Sequence, residues 1–326
     1  MTTHKNLLFA ALVLTGCGRM DAETQFRSAL PTQEMVEVGE PQQKGQALVS
    51  DDGVQPLEKD KTSELYQLTR GTTAFINGST LSTLALLNRV TKHTPTRITD
   101  DTAVWGPYTE ALARNAWRLT VKKTGENAYS FALAGKNKQA ADAAFTDVLT
   151  GTHTPALDEA GEVMQGFGRG ELVIDSDRLK NLQEIDSGEG ALSVQYARPD
   201  STSPVTVDAQ FRLGNGDKSR EASYHFSAVR GQGGEFDFKM MQDMYKPAGA
   251  SSLMESITIK SRWLETGAGR SDVKLSGGDL VGEATLNECW NTSFASVYLS
   301  ASYDPRVGYG TEATDCVFTP AVYSAL

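Results

Sequence analysis

From Trp117 onward the chain alternates apolar and polar residues with a period of two, and that period leaves few folds open. Trp117, Leu119 and Val121 alternate with Arg118, Thr120 and Lys122. Tyr129, Phe131 and Leu133 follow after a Thr124-Gly125-Glu126-Asn127 turn. The pattern runs on through Leu192, Val194 and Tyr196, then Val205 to Leu213, Ala222 to Ala228, and Phe236, Phe238 and Met240. Ile257, Ile259 and Trp263 lead to Gly267-Ala268-Gly269, after which Val273 and Leu275 return. Successive side chains of a strand point to opposite faces, so each run has one apolar and one polar side. Short turns between such runs join antiparallel neighbours. The expectation is a mainly β fold: a large curved antiparallel meander sheet, half-barrel or barrel, with one solvated face.

An apolar sheet face has to be covered, and residues 62–92 carry the one clear helical pattern. Ser63 is placed to cap a segment with Leu65, Leu68, Phe75 and Ile76. Ser79 or Thr80 can cap a second with Leu81, Leu84, Leu87 and Val90. Asn77-Gly78 stands between them, so one bent helix and two short ones both fit. Pro95 prevents a long continuation. This N-terminal helical segment is expected to pack on the apolar face of the sheet as a lid. Residues 94–116 read as irregular, with Trp105-Gly106-Pro107-Tyr108 as a packed turn in preference to a binding corner.

The beginning of the chain has another character. His4 and Lys5 precede an apolar run from Leu7 to Leu14, too short to span a bilayer as a lasting helix. It reads as the apolar part of a signal peptide. The run closes on Leu14-Thr15-Gly16-Cys17, which resembles the lipobox of bacterial lipoproteins. The resemblance implies cleavage before Cys17, acylation of Cys17 with chains such as palmitate, and a mature protein held to a membrane by its N-terminus. Gly18 follows, where Asp would favour inner-membrane retention in enteric bacteria, so an outer-membrane site in the cell envelope is preferred. An ordinary signal peptide cleaved near Gly16 or Ala22 is the competing reading. Residues 18–60 are polar, lack a sustained period and are punctuated by Pro31, Pro41 and Pro56. The expected organisation is a signal peptide over 1–16, a lipidated Cys and disordered tether over 17–60, and a single β-rich domain over 61–326.

With Cys17 assigned to the anchor, Cys289 and Cys316 remain as an even pair in an exported chain, and an oxidising compartment makes a disulfide the default. It is expected to pin the last strands together, with Trp290 packed against the bridge. The 326 residues carry 31 basic and 41 acidic side chains, a net charge of −10. That balance argues against nucleic acid as a partner, since phosphate binding needs a basic surface.

Few motifs offer chemistry. There is no Gly-x-Ser-x-Gly elbow and no His-Glu-x-x-His. Outside the signal, His93, His153 and His225 are far apart, and His225 falls on the polar side of its strand. Gly166-Phe167-Gly168-Arg169-Gly170 runs into Glu171-Leu172-Val173-Ile174, a strand and not the helix that a phosphate loop needs, so it reads as a bent strand. Leu275-Ser276-Gly277-Gly278 looks like the signature peptide of ATP-binding cassettes, but no Walker A sequence accompanies it. Asp175, Asp177 and Asp186, or Asp272 and Asp279, could offer oxygen ligands to calcium, although solvated acids explain them better. No catalytic residue, metal or cofactor is assigned, and the residues that would bind a ligand are left unknown.

Trp105-Gly106-Pro107, Gly267-Ala268-Gly269-Arg270 and Glu288-Cys289-Trp290 give the body a likeness to lipoproteins of the myxobacterial type. The expected topology, a helix lid on an open antiparallel sheet, is similar to that of the LolA/LolB lipoprotein carriers, a likeness of fold only. The functional expectation is a non-catalytic envelope lipoprotein with a sheet-lined cavity for a lipid or other hydrophobic molecule. A protein-interaction or structural module of the outer membrane is the alternative, and an envelope hydrolase the third.

Overall fold

The alternating runs become strands. The computed structural model describes residues 21–41, 58–182, 189–214, 219–245 and 253–326. Among them, fourteen strands form one open, curved, antiparallel sheet whose spatial order is the order of the chain. They are β1 (Arg97–Ile98), β2 (Thr102–Tyr108), β3 (Asn115–Lys123), β4 (Tyr129–Asn137), β5 (Thr146–Leu157), β6 (Val163–Asp175) and β7 (Gly190–Arg198). Then come β8 (Val205–Leu213), β9 (Arg220–Val229), β10 (Gly233–Gln242), β11 (Glu255–Leu264), β12 (Gly269–Gly277), β13 (Glu283–Trp290) and β14 (Ser296–Ala301). Of the two expected shapes, the sheet takes the unclosed one. Its edges are β1, only two residues long, and β14, where Leu299 and Tyr309 exchange backbone hydrogen bonds of 3.0 Å. A very short edge and a covered edge both remove a template for pairing with other chains.

The pairing register lines up the apolar residues in rows across the inner face. One row is Leu119, Leu133, Leu149, Ile174, Leu192 and Phe211, each opposite the next. Another is Tyr129, His153, Gly170, Tyr196, Val207, Phe226 and Phe236. Trp105 is fully buried in β2, so the Trp-Gly-Pro-Tyr stretch read as irregular is a core strand, its pairing with β3 shifted between Trp105 and Tyr108.

Residues 62–92 form the lid as one helix. Three described helices precede the sheet in the chain: α1 (Ala22–Ser28), α2 (Gln33–Val36) and α3 (Glu64–Thr91). Ser63 caps α3, its side chain accepting from the Tyr66 amide at 3.0 Å. Asn77-Gly78 does not break α3. The Asn77 side chain is used outward, accepting from the Val38 amide at 2.9 Å and donating to the Val38 carbonyl at 2.8 Å. The first turns of α3 are tied to the sheet by polar contacts. Glu288 of β13 accepts from the Leu65 amide at 2.8 Å, and Thr69 and Ser261 share a 2.6 Å hydrogen bond. A carboxylate beside a helix N-terminus satisfies an orphan donor and suits the helix dipole. Among the described residues no helix is long and apolar enough to cross a membrane.

The expected tether needs correction over residues 21–41, which belong to the folded body. Asp21 caps α1 by accepting from the Thr24 amide at 2.9 Å. Phe26, Met35, Val36 and Val38 are buried. Phe26 meets Tyr129 edge to face at 6.2 Å, and Gly39 lies against Phe226. The helices have seven and four residues, too short to show a helical period among polar neighbours. Cys17 and the expected signal peptide over 1–16 lie outside the described residues, as do residues 42–57 of the expected tether and Asp186.

The outer face of β11–β13 is covered by the end of the chain. Cys289 and Cys316 form a disulfide, with Cα atoms 5.4 Å apart. Cys316 is not on a strand; it follows a short helix, α4 in the numbering used here (Glu312–Asp315), so the bridge pins a strap to β13 and not two strands together. Trp290 does not pack on the bridge either. As the next residue along the strand it points to the inner face, where it lies 5.8 Å from Tyr66 and donates to the Gly267 carbonyl at 2.9 Å. Under the strap, fully buried Arg270 donates to Asp272 at 2.7 Å, to Glu312 at 2.6 Å and to the Phe318 carbonyl at 2.9 Å. Burial pushes the Asp272 carboxyl up against the opposing pull of Arg270.

Candidate functional site

The inner face offers three lanes for cover, and two of them are filled by the described chain. α3 runs along the middle. Residues 21–41 run antiparallel beside it: Arg27 donates to the Thr91 and His93 carbonyls, Val38 bonds Asn77, and Glu40 pairs with Arg70 at 3.6 Å. An α-helix turns about 100° per residue, so Phe75 points roughly opposite to Asn77. On that opposite flank the surface is open. There a groove of about 660 Å³ lies between α3 and the inner face of β3–β8.

Its floor is Leu133, Leu149, Ile174, Leu192 and Phe211, most of one cross-strand row, with Trp117 and Val148 beside them. Its wall is the exposed side of α3, from Phe75 through Gly78, Ser82 and Leu86 to Arg89. Phe75 is 51% exposed and reaches over to Phe211, the ring centres 5.6 Å apart. A Cβ built on Gly78 would meet nothing within 4 Å. Its volume is in the range of small-molecule pockets, and its lining mixes apolar and polar side chains. Its polar lining is Ser82, Thr83, Arg89, Ser176, Glu189 and Arg212.

A second depression, of about 390 Å³, lies on the outer face over Thr152, Thr154, Arg169, Glu171, Gln195 and Asp208. These are the solvated sides of the strands, so it lacks an apolar floor. The inner groove is therefore the candidate site.

The histidines fall in three places. His93 stacks on Tyr108 with ring centres 3.9 Å apart. His225 stands on the solvated face, its Nδ1 2.6 Å from Asp208. His153 is buried below residues 21–41, its Nδ1 2.8 Å from the Tyr196 hydroxyl and its Nε2 without a partner. Burial lowers the His153 pKa to about 4 and drives the Tyr196 phenol far up. The glycines of 166–170 make room for this pair. A Cβ at Gly168 would sit 2.6 Å from the His153 ring, and one at Gly170 would sit 2.5 Å from the Tyr196 oxygen. Gly166 and Gly168 both have positive φ within β6, consistent with the bent strand read from the sequence.

The acids go to structural contacts. Asp175 accepts from the Arg178 amide at 3.0 Å, and Asp177 accepts from the Gly190 amide at 2.8 Å and pairs with Arg212 at 2.9 Å. Asp272 lies under the strap, and the Asp279 amide donates to Glu255 at 3.1 Å in a separate turn. Among the described residues, no group of three or more His, Cys, Asp and Glu comes together to hold a metal.

None of the groove residues was singled out as binding from the sequence. Their apolar side chains were legible as core, but the open flank of α3 follows from where residues 21–41 lie. No family model, no curated protein and no solved structure matches this chain.

Proposed function

We propose that this protein is a non-catalytic lipoprotein of the cell envelope that holds a lipid or another hydrophobic molecule in the groove beside α3. The observation that carries the reading is the open third lane. Residues 21–41 pack along one flank of α3, while on the other flank a groove of about 660 Å³ remains beside exposed Phe75 and half-buried Leu86, over a floor that is itself buried. An alkyl chain lying there would bury the exposed ring of Phe75 and the half-buried Leu86, at about 25 cal/mol per Å² of apolar area removed from water. The likeness of Leu14-Thr15-Gly16-Cys17 to a lipobox supports the envelope site. Only residues 18–20 separate Cys17 from the Asp21 cap of α1, a reach of at most about 14 Å. On this reading the folded body sits close to the outer membrane and not at the end of a long tether.

Two measurements test the two halves. Detergent phase partitioning of the wild type and Cys17→Ser chains tests the anchor. The wild type should enter the detergent phase and the variant should leave it; wild type in the aqueous phase would remove the anchor. Titration of an alkyl probe such as dodecanol tests the groove. Saturable binding at one site per chain supports it, and absence of binding removes it.

A further inference from the structure

We infer that the groove selects an amphiphile with an anionic head, which Arg89 holds while the tail lies along Leu133, Leu149 and Leu192. The inference rests on the reading of the groove as a hydrophobic site and adds the chemistry of the head group. Among the described residues, three charged side chains line the groove: Arg89, Glu189 and Arg212. Two of them are neutralised by neighbours. Glu189 forms an ion pair with Lys180. Arg212 pairs with Asp177 at 2.9 Å and donates to the Gly214 carbonyl at 3.2 Å. Arg89, exposed in the last turn of α3, has neither an ion pair nor a hydrogen bond among the described residues.

Among the described residues the rim therefore carries one uncompensated positive charge beside an apolar floor, on a chain whose net charge is −10. A guanidinium is a planar fork of donors that suits a carboxylate or a phosphate. Its place in the last turn also suits the helix dipole. Lys92, at the C-cap of the same helix, serves that role as well. The dipole role changes stability alone, whereas the head-group role changes which amphiphile binds, so selectivity is the quantity to read.

The test is calorimetric titration of the full-length chain carrying Cys17→Ser with four probes that share a twelve-carbon tail: dodecanoate, dodecyl phosphate, dodecanol and dodecyltrimethylammonium. The anionic probes should bind roughly fivefold tighter than the cationic one, the size of an exposed charge pair, and added salt should shrink that ratio. The tighter of the two anions distinguishes a carboxylate head from a phosphate head. Arg89→Glu should reverse the order of anion and cation. Lys122→Gln, an exposed cation on the outer face of β3, should leave it as in the wild type. Equal affinity for anionic and cationic probes, or an order that Arg89→Glu does not change, overturns the inference and leaves the groove reading in place. Failure of all four probes to bind removes the groove reading and the inference with it.

Discussion

Replacing Gly78 separates stability from binding, because the two should move in opposite directions. Gly78 lies in the interior of α3 and faces the groove, where an added Cβ would meet nothing within 4 Å. Its backbone is helical, so a side chain there is unstrained, and Gly in a helix interior costs about 0.8–1 kcal/mol relative to Ala. Gly78→Leu should therefore stabilise the fold by roughly 0.5–1 kcal/mol, or about 1–3 °C in Tm for a chain of this size. The same side chain occupies room that an alkyl ligand would fill. Excluding three or four methylenes at about 0.8 kcal/mol each weakens binding by roughly 3 kcal/mol, about a hundredfold. Thermal unfolding and dodecanol titration on the same preparations read both quantities. Wild-type affinity in a stabilised Gly78→Leu chain would refute the placement of the ligand. A destabilised variant would refute the geometry of the groove wall.

Two further outcomes follow from buried groups. The folded-state pKa of His153 is lowered to about 4 from an ordinary value of 6.5. Its contribution to stability is thus fully present above pH 6.5 and is lost as pH falls toward 4, by about 3 kcal/mol. Denaturant unfolding across that window should show a steeper acid loss for the wild type than for His153→Gln, and parallel curves would exclude His153 as the cause. Cys289 and Cys316 are 27 residues apart, so Cys316→Ser should cost about 3.5 kcal/mol on the chain-entropy account. It should also free the strap to proteases between Thr311 and Leu326 under native conditions; unchanged resistance would show that the contacts of Arg270 and Asp272 hold the strap alone.

The parts of the fold that were legible in the sequence are those whose inward residues are large and apolar. β8 to β11 show their register plainly, because Phe211, Tyr224, Phe226, Phe236 and Ile259 sit at alternate positions between polar residues. β5 was invisible for a physical reason. Its inward positions include Gly151 and His153, and the space above Gly151 is taken by the Phe131 ring of the neighbouring strand. Alternation fails as a signal when a partner strand supplies the bulk. Residues 21–41 escaped for a related reason: scattered apolar residues cover a sheet well enough when α3 supplies the backbone partner at Asn77. The groove is a step further from the sequence, since it depends on which flank of α3 that segment takes.

The first measurement is mass spectrometry of what co-purifies with the protein. The full-length chain with Cys17→Ser and the same chain with Gly78→Trp are expressed for export, purified in parallel without detergent and extracted with organic solvent. A lipid at close to one molecule per chain, present with the first protein and missing from the second, is the predicted result. Equal lipid in both, or none above the level of an unrelated exported protein, would contradict a lipid-holding groove beside α3.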